Sequence, residues 1–107
     1  MLQDINPTAL DLVFARGQRV LDLADSHITL EQTTSQEAAL PGSDFVILTI
    51  TTGGLEAMRY DLEIPEKYGI FQSVGDTVGP DGLARGLRNI PVVVEIAHQI
   101  EALAPQA

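Results

Sequence analysis

The chain has no cysteine. Disulfide frameworks, thiol nucleophiles and Cys-ligated zinc are therefore excluded within it. Basic residues are scarce, with 6 Lys and Arg against 15 Asp and Glu and a formal charge of −9. Phosphate and anionic lipid are held by Lys and Arg, so this balance speaks against nucleic acid and membrane partners. The longest apolar run, Phe45 to Ile50, is interrupted by Thr49. It falls far short of the ~20 residues that a membrane helix needs. Met1 to Pro7 contains an acid and no basic cluster ahead of an apolar core, so no secretory signal is expected and the expected location is cytoplasmic. No Gly-x-Ser-x-Gly or Walker-type loop occurs. His27 and His98 each lack a second ligand at metal spacing, so no metal site is expected within the chain.

What is present suits a small globular protein: 107 residues, 45% hydrophobic and 20% charged. One domain is the most that this length allows. Asn6-Pro7 is a helix start, with Asn as N-cap and Pro at the first helical position. Leu10, Val13, Phe14, Gly17, Val20, Leu21 and Ala24 then recur at three- and four-residue spacing, which predicts an amphipathic helix from about Pro7 to Asp25. Gly17 lies on its apolar stripe, where it either permits a close approach to a sheet or is simply a tolerated helical glycine. Met1 to Gln3 reads as the tail of a strand, and the alternation from Ile28 to Thr33 as a half-buried strand. Ser35 caps a short helix that Pro41-Gly42 ends.

The run Asp44 to Ile50 predicts a strand covered on both faces, the mark of a parallel α/β sheet. Gly53-Gly54 closes it at the sheet's carboxyl edge, where α/β folds bind ligands. Residues 55–79 read as an irregular functional loop with short helical pieces. Helical periodicity returns from Asp81 to Leu103, with Pro91 expected to kink or split it. The order predicts an α/β fold: a partial Rossmann-type, doubly wound sheet. It lacks a first strand with its Gly-x-Gly-x-x-Gly loop, and lacks strands after the last helix.

Candidate site residues follow from this order. Asp4 stands between a strand end and a helix, where an acid bonds adenine-ribose hydroxyls in dinucleotide folds or simply favours a helix N-terminus. Thr51, Thr52, Gly53 and Gly54 either line a cofactor groove or form only a turn. Asp76 and Thr77, between Gly75 and Gly79, sit beyond the sheet edge, as site or turn residues. Arg59 and Asp61 read as surface charges.

Several ordered motifs then become specific. Leu2-Gln-Asp-Ile-Asn-Pro7 resembles the opening of the second Rossmann strand and helix of glycoside hydrolase family 4. Asp44-Phe-Val-Ile-Leu-Thr-Ile50 with Gly53-Gly54 resembles that family's Asp-Phe-Val-Ile-x-Thr-Ile-x-x-Gly-Gly. Ile64-Pro-Glu-Lys-Tyr-Gly69 is similar to its Ile-Pro-x-Lys-Tyr-Gly. Gly75-Asp-Thr-Val-Gly-Pro80 with Gly82, then Leu87-Arg-Asn-Ile-Pro91, resembles Gly-Asp-Thr-x-Gly-Pro-Gly-Gly and Leu-Arg-Thr-Ile-Pro. Asp81 replaces the first Gly of the family's Gly-Gly pair.

The resemblance implies a glycosidase that depends on NAD and a divalent metal, often Mn²⁺, and acts by transient oxidation of the sugar at C3 and elimination. It implies that Asp4 is the ribose-binding acid and that Thr51, Thr52 and Gly53 border the cofactor. Asp76 would support the catalytic base, with Thr77 beside it on the substrate side. Arg59 lies near an Arg that contacts substrate phosphate, offset by one position. Thr51 stands where phospho-glycosidase members carry Arg, which leans towards non-phosphorylated α-glycosides. The expected partner is a small sugar, with a neutral one the easier substrate for so acidic a chain, and the parent enzyme is expected to be a homo-oligomer. The metal ligands would lie outside this chain, which alone is expected to be inactive. Two alternatives stand beside this reading. One is part of a lactate/malate-dehydrogenase-like oxidoreductase; the other is a non-enzymatic module that binds a nucleotide or a partner.

Overall fold

The computed structural model describes residues 1–75 and 77–107. Its elements are β1 (Leu2–Gln3), α1 (Pro7–Leu23), β2 (Gln32–Thr33), α2 (Gln36–Ala39), α3 (Gly54–Glu66) and α4 (Gly79–Leu103). They fall into two compact units: Met1–Val46 with Gln99–Ala107, and Ile47–His98.

In the first unit, α1 begins where local chemistry directs it. Asn6 Oδ1 accepts from the backbone N–H of Thr8 at 3.0 Å and of Ala9 at 3.2 Å, and Pro7 follows at the first helical position. Two of the N–H groups that a helix start leaves unpaired are thus satisfied. The helix closes through Asp25, which takes a left-handed φ of 48°. Ser26 N–H reaches Leu21 O at 3.0 Å and Asp25 N–H reaches Asp22 O at 3.3 Å. This is the paired closure usually built on glycine.

α1 carries the chain between two parallel strands, β1 and β2, which pair Leu2 with Gln32 and Gln3 with Thr33. Parallel neighbours joined through a helix define an α/β unit. Two contacts set α1 on this ribbon. Gln32 Nε2 donates to Asp11 Oδ1 at 2.9 Å. A Cβ on Gly17 would lie 2.8 Å from Leu30 Cδ2, so the expected close approach is made to Leu30. Ser35 caps α2 by accepting from Ala38 N–H at 3.2 Å. The buried apolar residues of this unit are Leu10, Leu40 and Ala104.

Four expectations are corrected here. The strand expected over Ile28 to Thr33 is paired only at Gln32 and Thr33. Asp44 to Ile50 forms no strand among the described residues, and Phe45 and Ile47 are 89% and 91% exposed. A β-segment is held by its neighbours' hydrogen bonds, so apolar composition alone cannot make one. In the second unit, residues Gly54–Glu66 form α3 where an irregular loop was expected. Leu55, Met58, Leu62 and Pro65 recur at helical spacing, and Arg59 pairs with Glu63 at 3.3 Å along the outer face. Finally, α4 is not split at Pro91 but continues as helix across it. Proline removes one N–H donor, the partner of the Leu87 carbonyl, and the flanking turns carry the helix across that single gap.

Two substitutions test the ends of α1 by urea unfolding followed with far-UV circular dichroism. Asn6→Ala is expected to destabilise by about 1 kcal/mol, the usual worth of an N-cap. Asp25→Gly is expected to stabilise by up to about 1 kcal/mol, because glycine carries no left-handed penalty.

Candidate functional site

The second unit is organised by polar side chains. Asp61, on α3, is only 6% exposed, which corrects its reading as a surface charge. Arg88, on α4, grips it bidentately: Nη1 donates to Oδ1 at 2.7 Å, and Nη2 donates to Oδ2. A forked guanidinium on a carboxylate fixes orientation as well as distance. The hydrogen bonds from Arg88, helped by the positive fields of Arg88 and Arg85, hold the Asp61 carboxyl below the ordinary aspartate range despite its burial. The same hydrogen bond raises Arg88. Arg88 Nε is shut from solvent and meets no acceptor among the described residues.

The next residue of α4, Asn89, holds the start of α3. Its Oδ1 accepts from Thr52 N–H at 3.2 Å and from Thr52 Oγ1 at 2.6 Å. Its Nδ2 donates to the Arg85 carbonyl at 3.1 Å, which fixes the direction of the amide. Gly53 then enters α3 with φ 79°. A Cβ there would sit 2.6 Å from the Ala57 Cβ and 3.7 Å from Arg88 Nε. Left-handed backbone and lack of room both call for glycine at this turn.

Thr51, Thr52 and Gly54 line a small cavity of about 90 Å³ with Leu55, Met58, Asp61, Arg85, Arg88 and Asn89. This is well below the ~300 Å³ of a typical whole-ligand pocket. It suits part of a ligand, such as a hydroxyl or small polar group. Thr77 lies elsewhere in this unit, on a mostly apolar cleft of about 320 Å³ with Val78, Leu83, Leu87 and Ile90. Arg59 is held within α3, beside Glu63 and Glu56 and 4.7 Å from the Tyr60 ring centre. Asp81, at the departure from the Gly-Gly motif, is 1% exposed. With the Gln72 amide oriented to donate, Gln72 reaches Asp81 Oδ2 at 2.7 Å. Asp76 lies outside the described residues.

In the first unit Asp4 is exposed beyond β1. Its Oδ1 accepts from Asn6 N–H at 2.8 Å, so one carboxylate oxygen shapes the turn into α1. The structure thus brings Thr51, Thr52 and Gly53 together. It adds Arg85, Arg88 and Asn89, to which the reading of the sequence gave no site role, and Asp61, which it read as a surface charge. Their signal was the spacing of Arg85, Arg88 and Asn89, which places all three on one helix face.

The model of the family described as "Family 4 glycosyl hydrolase" matches residues 1–107. An α-galacturonidase of Thermoanaerobacter italicus is 53% identical over 73 residues, covering 68% of this chain and 16% of that protein. One of Thermoanaerobacterium saccharolyticum is 54% identical over 71 residues, covering 66% of this chain and 15% of that protein. An α-glucosidase of Erwinia rhapontici is 36% identical over 108 residues, covering 100% of this chain and 24% of that protein. The chain spans about a sixth of the length of the two α-galacturonidases.

The Asp61–Arg88 pair makes stability depend on acid. A carboxyl held below its unfolded pKa contributes fully above about pH 4 and loses that contribution as pH falls through its lower folded value. Asp61→Asn is expected to lower the urea midpoint near neutral pH, with the gap to wild type closing progressively below about pH 4. A gap independent of pH would mean that the pair carries no such linkage.

Proposed function

The chain belongs to family 4 of the glycosyl hydrolases, and from that membership we propose that residues 1–107 form part of the NAD-binding domain of an enzyme that cleaves small α-glycosides. The observation that carries this reading is the family match along the whole chain, with the Thr51-Thr52-Gly53-Gly54 turn held rigidly at the mouth of α3. The β1–α1–β2 unit, with its parallel pairing, supports a Rossmann-type arrangement.

The residues present suit a dinucleotide border. Gly53 and Gly54 let the backbone come close to a ligand, and Thr51 and Thr52 offer hydroxyls beside it. Asp4 keeps its second carboxylate oxygen for ribose hydroxyls, while the first holds Asn6 N–H. When bound, NAD supplies a hydride acceptor for oxidation of the sugar. Arg88 and Asp61 neutralise each other and keep α3 in place, and Asn89 holds the turn.

The described residues do not fit a manganese site. No group of three or more His, Cys, Asp or Glu side chains among them is placed to hold a metal. Residues 1–107 by themselves are proposed to be inactive. Asp76 and Thr77 are proposed on the substrate side, and Arg59 as a more distant substrate contact. A homo-oligomeric, cytoplasmic enzyme remains part of this proposal. Among sugars, α-galacturonides come first, supported by the α-galacturonidases that are 53% and 54% identical; being carboxylates, they replace the neutral sugar expected from the chain's charge.

Hydrolysis of p-nitrophenyl α-galacturonide, α-galactoside and α-glucoside, with and without NAD and Mn²⁺, tests the reading in the full-length enzyme. Turnover that vanishes without NAD, and is fastest on the galacturonide, is expected. Turnover that persists in NAD-free enzyme would overturn the cofactor assignment. Turnover by residues 1–107 alone would overturn their proposed inactivity.

A further inference from the structure

Thr52 and Asn89 form a relay whose direction is set by the geometry. A threonine hydroxyl has one proton to donate and two lone pairs to accept with. At 2.6 Å that proton goes to Asn89 Oδ1. The same oxygen also accepts from Thr52 N–H at 3.2 Å, so both of its lone pairs are engaged. Asn89 cannot turn its amide over to offer a donor instead, because Nδ2 is committed to the Arg85 carbonyl at 3.1 Å. Both residues line the small cavity beside the Gly53 turn.

We propose that Thr52 meets its ligand only as a hydrogen-bond acceptor, with Asn89 as the positioning residue that enforces this. The partner is then a donor, a ligand hydroxyl, and not an acceptor-only phosphate oxygen. Such a hydroxyl comes either from a ribose of the cofactor or from the sugar substrate. The inference rests on the reading that this turn borders the cofactor and substrate. It adds the polarity of the contact and the residue that sets it.

The polarity has a direct consequence for variants. Thr52→Val keeps the shape and removes the acceptor, so the ligand hydroxyl is left unpaired. Asn89→Leu leaves the threonine but frees its proton, so that the hydroxyl turns to donate. Thr52→Ser restores the hydroxyl, whereas Asn89→Asp keeps an oxygen acceptor for Thr52 but sets a second carboxylate oxygen against the Arg85 carbonyl.

The test measures the dissociation constant of NAD by calorimetry, and KM and kcat for the sugar at saturating NAD, in the full-length enzyme. Thr52→Val and Asn89→Leu are expected to weaken one of the two ligands by about three- to tenfold, the worth of one hydrogen bond. Thr52→Ser, which keeps the hydroxyl, should recover most of the Thr52→Val loss. A loss confined to NAD assigns the hydroxyl to a ribose; a loss confined to the sugar KM assigns it to the substrate. Urea midpoints are measured alongside. A lowered midpoint with both ligand constants unchanged would make the pair merely structural and overturn the proposal. So would wild-type binding of both ligands by Asn89→Leu, because the direction of the Thr52 hydroxyl would then be irrelevant. Should the wild-type enzyme bind no NAD, the cofactor reading fails, and the polarity of Thr52 is decided on the sugar arm alone.

Discussion

The pair of the buried Asp61 carboxylate and the half-buried Arg88 guanidinium sets the second unit in place. Asp61 on α3 is out of water and answered by both terminal nitrogens of Arg88 on α4. Removing Arg88 would leave the Asp61 carboxylate buried without its match, an arrangement that proteins avoid. With the two helices pinned there, the next residue of α4, Asn89, reaches the first turn of α3. That turn carries Thr51, Thr52 and Gly53. The site is therefore downstream of the ion pair: its geometry is inherited from a helix–helix contact, and the glycines only make room for it.

This order of dependence explains why the unit's interior is so polar. Its buried side chains include Asp61 and Asp81, each held by a named partner, whereas Leu10, Leu40 and Ala104 belong to the other unit. Hydrophobic burial is non-directional and tolerates small displacements. Forked and amide hydrogen bonds tolerate little. Building around the latter gives less packing energy per residue and a better-defined turn.

What was legible in the sequence was what is decided locally. Asn6-Pro7 starts α1 and Ser35 starts α2 because each cap bonds to N–H groups two or three residues ahead. Gly17 was legible as a close-approach position because the apolar stripe around it was regular. The family was legible because its motifs keep their order along all 107 residues. Asp44 to Ile50 misled because a strand is a property of two segments, and an apolar run describes only one. α3 was hidden by the glycines at its start and Pro65 near its end, although Leu55, Met58 and Leu62 keep helical spacing. Asp61 was taken for a surface charge because its partner lies 27 positions away. No short-range pattern connects the two.

The second unit's apolar cleft has a consequence for how the protein behaves in bulk. Leu83, Leu87 and Ile90 are more than half exposed, as are Phe45 and Ile47 elsewhere in the chain. Such surface makes copies of a protein adhere when they meet. What opposes the encounter is the mutual repulsion of molecules carrying −9 each. That repulsion reaches only about 10 Å in 0.1 M salt and vanishes near the isoelectric point. Colloidal stability is therefore an electrostatic property of this chain, strongest in dilute buffer at neutral pH and weakest near pH 4.3, where the formal charge cancels.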